Sequence, residues 1–143
     1  KWMIGTAESC TGGLLAHTIS TVPGASRYFK GSIVAYSNEI KMNVLHVSEE
    51  ILKEHGAVSE ETVRAMVLGA LERLKVDIAV AISGIAGPDG GTDEKPVGLI
   101  YLACGTRDNI QTKRLQLNKD RQRNIEYTVT IGLNMIRKFL KGL

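Results

Sequence analysis

Five consecutive apolar residues, Ile78-Ala79-Val80-Ala81-Ile82, lie between Asp77 and Ser83 with no polar side chain among them. Strand side chains alternate between faces, so this run is apolar on both. A strand of that kind is covered on each face, as in parallel sheets flanked by helices. The chain must therefore supply helices for two layers.

It does. Leu14, Leu15, Thr18, Ile19 and Val22 follow one another at helical spacing, and Pro23-Gly24 ends the pattern. Asn38 is the expected cap of a short helix reaching about Leu45, and Ser48 opens another that closes at His55-Gly56. From Ser59, the residues Val63, Met66, Val67, Ala70, Leu71 and Leu74 form an apolar stripe. A last helix from about Arg121 carries Ile125, Val129, Leu133, Ile136 and Leu140. One core could serve both long stripes.

Further strands are expected at Trp2 to Ala7, at Gly31 to Ser37 (apolar enough for the sheet interior), and at Val97 to Cys104 and Ile110 to Leu117. The last two are joined through Gly105 to Asn109 as an antiparallel pair. The order predicts a three-layer α/β/α domain over 1–143, with a mixed, mostly parallel sheet of about five strands. The first three strands run parallel and one later strand antiparallel.

Composition narrows the partners. A net charge of +3 with 5% aromatic residues and scattered lysines and arginines counts against a nucleic-acid groove, while anionic small molecules fit. Cys10 and Cys104 match no metal spacing, and no metal or cofactor is expected. No apolar run is long enough for a membrane span, and a reducing cytoplasm suits the cysteine usage. The start at Lys1-Trp2, without Met and inside a strand, reads as a piece of a longer chain.

Parallel strands place their C-terminal ends along one sheet edge, where ligands bind in open α/β folds. Those ends are Glu8 to Gly13, Tyr36 to Lys41 and Ser83 to Gly91, which are also the hydroxyl-rich and glycine-rich stretches. The first joins a strand to a helix through Ser9, Cys10, Thr11, Gly12 and Gly13. It offers nucleophiles, free backbone N–H groups and a cap for the helix at Thr11. In an extended segment Cys10 would point away from Ser9, so only one of the two can face the site. The loop from Ser83 to Gly98 is long for a compact domain.

Six ordered motifs carry a family resemblance: Ala7-Glu8-Ser9-Cys10-Thr11-Gly12-Gly13, Val22-Pro23-Gly24-Ala25-Ser26, Val34-Ala35-Tyr36-Ser37-Asn38, His55-Gly56-Ala57-Val58-Ser59, Ser83-Gly84-Ile85-Ala86-Gly87-Pro88-Asp89-Gly90-Gly91 and Lys95-Pro96-Val97-Gly98. Together they resemble the C-terminal domain of the competence/damage-inducible protein A (CinA) family, whose stand-alone form is nicotinamide-nucleotide amidohydrolase. The resemblance implies hydrolysis of the carboxamide of nicotinamide mononucleotide to nicotinate mononucleotide and ammonia. It implies functional roles for Ser9, Tyr36, Lys41, Ser83 and Arg121, a homodimer, and a domain that often follows a larger metal-dependent pyrophosphatase-like domain. Ser83 replaces a usual Thr, Lys119 a common Gly before Asp120-Arg121, and His46 a frequent Gly after Leu45.

Amide hydrolysis needs a nucleophile, a base, a proton for the leaving amine and an oxyanion site. No His falls in the three stretches, so Lys41 is the natural base for Ser9. A lysine of pKa about 10.4 is neutral only about once in 2,500 molecules at pH 7, so the site must lower it. Arg121 or a helix N-terminus is the expected positive neighbour. Tyr36 would relay a proton or orient the amide, and Glu8 would orient a side chain or pair with a lysine. Backbone N–H groups of Thr11, Gly12 and Gly13 are the expected oxyanion donors, with Gly84, Gly87 and Arg121 receiving the phosphate. The competing readings are a catalytically silent nucleotide-binding or dimerisation module of a larger protein, and an interaction module tied to DNA uptake or repair.

Overall fold

The computed structural model describes all of residues 1–143. Strands β1 (Ile4–Glu8), β2 (Phe29–Val34), β3 (Ile78–Gly84), β4 (Leu99–Gly105) and β5 (Ile110–Gln116) form one sheet in the order β2-β1-β3-β4-β5. β1 pairs in parallel with both β2 and β3, while β4 is antiparallel to its two neighbours. One strand thus runs against the other four. Helices α1 (Leu14–Ser20), α2 (Asn38–Asn43), α3 (Glu49–His55), α4 (Glu60–Leu74) and α5 (Arg121–Lys141) complete the fold. It is the three-layer α/β/α arrangement, and no helix is long and apolar enough to cross a membrane.

The run in β3 sorts its side chains by size. Ala79 and Ala81 join Ala7 and Ala103 beneath Val63, Met66, Val67, Ala70 and Leu71 of α4. Ile78, Val80 and Ile82 join Ile4, Ile100 and Leu102 on the other face, beneath Leu15 and Ile19 of α1 and Val129 and Ile136 of α5. Small residues let α4 lie close to the sheet, and large ones fill the gap under the α1–α5 pair. Each fully buried Leu or Ile contributes roughly 1.5–3 kcal/mol by transfer from water. The stripes of α4 and α5 therefore serve two cores on opposite faces, where one core had been expected.

Two local expectations are corrected. β2 is an edge strand, because it pairs only with β1, and its partly exposed faces carry Lys30 and Ser32. It also stops at Val34, since Ser37 turns the chain to cap α2 by accepting the Ile40 N–H at 3.2 Å. Asn38 is therefore the first residue of that helix and Ser37 its cap. At the end of the same segment His46 adopts a left-handed backbone with φ 60°.

Gly69 of α4 lies where a Cβ would come within 2.0 Å of the Leu45 carbonyl oxygen. That neighbour is backbone and cannot swing aside. Gly69→Ala should destabilise the fold by about 2–3 kcal/mol, the upper range for overpacking. The check is thermal unfolding by circular dichroism, with an expected fall in Tm of roughly 5–10 °C.

Candidate active site

β1 ends at Glu8 and the chain turns at once, so Ser9 sits on the sheet edge with its backbone held at both ends. Its N–H donates to the Ile82 carbonyl at 3.0 Å, and its carbonyl accepts the Gly12 N–H at 3.0 Å. Lys41, in the second turn of α2, reaches the same point from the β2 side. Its Nζ lies 3.0 Å from Ser9 Oγ, 2.9 Å from the Ala35 carbonyl and 3.3 Å from the Tyr36 carbonyl. Only 1% of Lys41 is exposed, and it is the bulkiest fully buried side chain of the protein. None of the ion pairs includes it.

Burial without a carboxylate disfavours the ammonium form, and this pushes the Lys41 pKa below its ordinary 10.5. The main cause is desolvation, with Cys10 acting in the opposite direction. Burial, and not the expected cationic neighbour, does the lowering. A neutral amine has two N–H bonds and one lone pair. When the amine is neutral and its N–H bonds point to Ala35 and Tyr36, its lone pair is free to receive the Ser9 hydroxyl, which in this structure donates to the Tyr36 carbonyl at 3.5 Å. This is the geometry of a serine and its base.

Of the remaining predicted residues, Tyr36, Ser83, Gly84 and Arg121 join Ser9 and Lys41 around a cavity of about 260 Å³. Ser83 lies within β3, one residue before its end, and its Oγ donates to the Ala57 carbonyl at 2.7 Å. It thereby fastens the α3–α4 turn to the sheet edge. Gly84 has no room for a side chain, since a Cβ would meet Ile100 Cδ1 at 2.4 Å. Tyr36 is 60% exposed because β2 has already ended. Its hydroxyl accepts from Arg121 at 3.0 Å, while the same guanidinium donates to the Gly87 carbonyl at 2.7 Å. Arg121 spans the mouth of the cavity from one loop to the other.

Thr11, Gly12 and Gly13 are not brought into this cavity. Thr11 does not cap α1; its hydroxyl donates to Glu8 Oε1 at 2.6 Å. The Gly12 N–H is spent on Ser9, and the cap position of α1 is Gly13, without a side-chain bond. Gly87 contributes a carbonyl to Arg121 and does not line the cavity. Cys10 does line it together with Ser9, because the turn breaks the strict alternation of the strand. Burial pushes the Cys10 thiol up to about 12, so at neutral pH it is protonated and a poor nucleophile.

Comparison with known proteins shows the family of the chain. A family profile described as CinA C-terminal domain matches residues 1–140. A CinA-like protein of Cytophaga hutchinsonii is 51% identical over 96% of this chain and 33% of its own length. One from Dictyoglomus turgidum is 46% identical over 98% of the chain and 34% of its own. Among solved structures, a competence/damage inducible protein of Agrobacterium tumefaciens superposes with TM-score 0.92 at 41% identity, over 94% of this chain and 83% of that one. A CinA superfamily protein of Klebsiella pneumoniae gives 0.95 at 37% identity, over 99% and 89%. The chain belongs to the CinA C-terminal domain family. It spans about a third of the length of the curated relatives it matches.

In this CinA domain two further residues bear on the site, Asn124 by holding its loop and Asp89 by lining the cavity. Asn124 is fully buried on α5; its amide donates to the Ala86 and Lys119 carbonyls at 3.0 and 2.9 Å, and its oxygen accepts the Lys119 N–H at 3.1 Å. With Arg121 it grips consecutive carbonyls, Ala86 and Gly87, of the loop after β3. The available signal was an Asn in a helix interior, where its propensity is poor unless the side chain is engaged. Asp89 is the one acidic residue on the cavity wall, and nothing in its loop position distinguished it from a solvated turn residue.

Lys41 gives stability a definite pH dependence. The unfolded chain keeps that proton to about pH 10.5, while the folded chain releases it earlier. Between those points the unfolded state holds more protons, so stability rises with pH. Wild-type Tm should climb relative to Lys41→Met across this window. A Tm difference constant from pH 7 to 10.5 would contradict the lowered pKa. The thiols give a second check. Burial also pushes Cys104 up to about 12, so native protein should react with a disulfide reagent at pH 8 at least about tenfold more slowly than unfolded protein.

Proposed function

We propose that this domain hydrolyses the carboxamide of nicotinamide mononucleotide, with Ser9 as nucleophile and Lys41 as its base. The observation that carries the reading is the buried Lys41 amine, 3.0 Å from Ser9 Oγ and held by two backbone carbonyls. Family membership supports the substrate class, and the cationic Arg121 at the cavity mouth suits a phosphate.

In the first half-reaction, neutral Lys41 takes the Ser9 proton as Oγ attacks the carboxamide carbon. The carbonyl π electrons move to oxygen, giving a tetrahedral oxyanion. Collapse breaks the C–N bond, and the Lys41 ammonium returns its proton to the departing nitrogen, which leaves as ammonia. Nicotinate mononucleotide is then esterified to Ser9. In the second half, Lys41 takes a proton from water, whose oxygen attacks the ester carbon. The C–Oγ bond breaks, the Lys41 ammonium returns its proton to Ser9 Oγ, and the new carboxyl group loses the remaining water proton to solvent as the product leaves as the carboxylate. Two carbonyls on Nζ keep the amine beside Oγ throughout, which is the positioning that makes an intramolecular base effective. Ser83, beside Ala57 and Gly84, orients the amide end. Tyr36 and Arg121 close over the nucleotide end. A homodimer, and attachment to a further domain in a longer protein, complete the reading.

Ammonia release from nicotinamide mononucleotide tests it. Ser9→Ala and Lys41→Met should each lose at least about 10³-fold in kcat, the scale for removing a nucleophile or its base, whereas Cys10→Ala should stay within about threefold of wild type. Activity that survives Ser9→Ala and is lost in Cys10→Ala would overturn the nucleophile. An intact wild type that binds the nucleotide and releases no ammonia would favour the silent binding module. The kcat/KM of wild type should rise with pH along a limb set by Lys41, with its midpoint below 10.5.

A further inference from the structure

We propose that Glu8 is a positioning residue for the Ser9–Lys41 pair, an inference that rests on reading Ser9 as the nucleophile. Glu8 is fully buried and faces no cation. Its carboxylate accepts the Leu15 and Ala16 N–H groups at 2.9 Å each and the Thr11 hydroxyl at 2.6 Å, with a longer contact of 3.4 Å from the Thr6 hydroxyl. The side chain thus anchors the start of α1 and the middle of the Ser9–Gly12 turn at a single point. Its main chain works towards the other partner. The Glu8 carbonyl accepts the Ala35 N–H at 2.7 Å, and the Ala35 carbonyl accepts from Lys41 Nζ at 2.9 Å. One residue, immediately before Ser9, therefore bonds to the Ser9–Gly12 turn, to the start of α1 and to Ala35, whose carbonyl holds Nζ.

A helix start alone does not require this. Ser, Thr, Asp or Asn directly before α1 would satisfy the first N–H groups at the surface, as Ser37, Ser48 and Ser59 do for α2, α3 and α4. A buried anion without a cation costs desolvation, offset here by charge-assisted bonds and the helix dipole. The chain uses this costlier device only at the helix that follows Ser9. The carboxylate bonds to the backbone on the far side of the turn, which fixes the turn and with it the χ1 environment of Ser9. Gln has the same shape, but its amide nitrogen would face an N–H donor and leave one bond unmade.

The test compares wild type, Glu8→Gln, Thr11→Val and Ser9→Ala by kcat and KM for nicotinamide mononucleotide, by the pH profile, and by thermal unfolding. A readout independent of that substrate is the rate at which a small phosphonofluoridate labels Ser9, followed by intact mass. Glu8→Gln should lower kcat and the labelling rate roughly 10²-fold, the scale of a displacement near 1 Å, and Thr11→Val about tenfold. KM should stay within about twofold, and the Lys41 limb of the pH profile should not move. If Glu8→Gln does not fold, Thr11→Val decides. Folded variants with wild-type kcat and labelling would overturn the proposal, as would losses that only track the unfolded fraction. Labelling of Ser9 that slows in Glu8→Gln, in a wild type that leaves the mononucleotide intact, would sustain the positioning role and overturn the substrate. Labelling that misses Ser9 would overturn both.

Discussion

The desolvated amine of Lys41 is the interaction on which the site depends. A lysine in water is a cation and no base at neutral pH. Enclosed by the sheet edge and α2, with carbonyl dipoles and a hydroxyl as its only partners, it pays for its charge with nothing returned by an anion. The lowered pKa follows from that exclusion. A carboxylate beside it would stabilise the ammonium and remove the lone pair, and the protein places none there. The one buried carboxylate near the turn, Glu8, is engaged by the start of α1.

The fold makes this enclosure possible through the size pattern of the sheet. Alanines on one face bring α4 close, and the turn before it supplies Ala57, whose carbonyl receives Ser83 at the sheet edge. On the other face, isoleucines and leucines carry α1 and α5. α1 begins just after Ser9, and α5 begins with Arg121 over the cavity mouth. Parallel pairing of β1, β2 and β3 puts Ser9, Lys41 and Ser83 on a common edge although they are distant in sequence. The geometry of the site follows from strand order, and the lowered pKa of Lys41 follows from the packing.

Much of this was legible in the residues. The continuous run in β3 announced a strand covered on both faces, and the stripe from Val63 to Leu71 announced the helix over it. The convergence of three polar stretches on one edge located the cavity. What escaped depended on side chains whose partners are remote. Glu8 reads as an ordinary acid until α1 folds back over it. Thr11 and Asn38 look like caps by type, yet Glu8 and Ser37 reach the relevant N–H groups first. β propensity continues past Val34 and predicts a strand through Tyr36, whereas the Ser37 cap ends the strand early. β2 was read as interior because an apolar run cannot report how many neighbours a strand acquires. The oxyanion donors expected at Thr11 to Gly13 were displaced because the turn carries those residues away from the cavity and spends the Gly12 N–H on Ser9.

The account stands on the protonation of one amine. Titration of Lys41 by ¹⁵N NMR of the Nζ group, assigned with Lys41→Met, measures it directly. The expected result is a midpoint clearly below 10.5 that moves up towards the ordinary value when the chain is unfolded. A folded-state midpoint at or above 10.5 would mean that the buried lysine is held as a cation, and that Ser9 has no base.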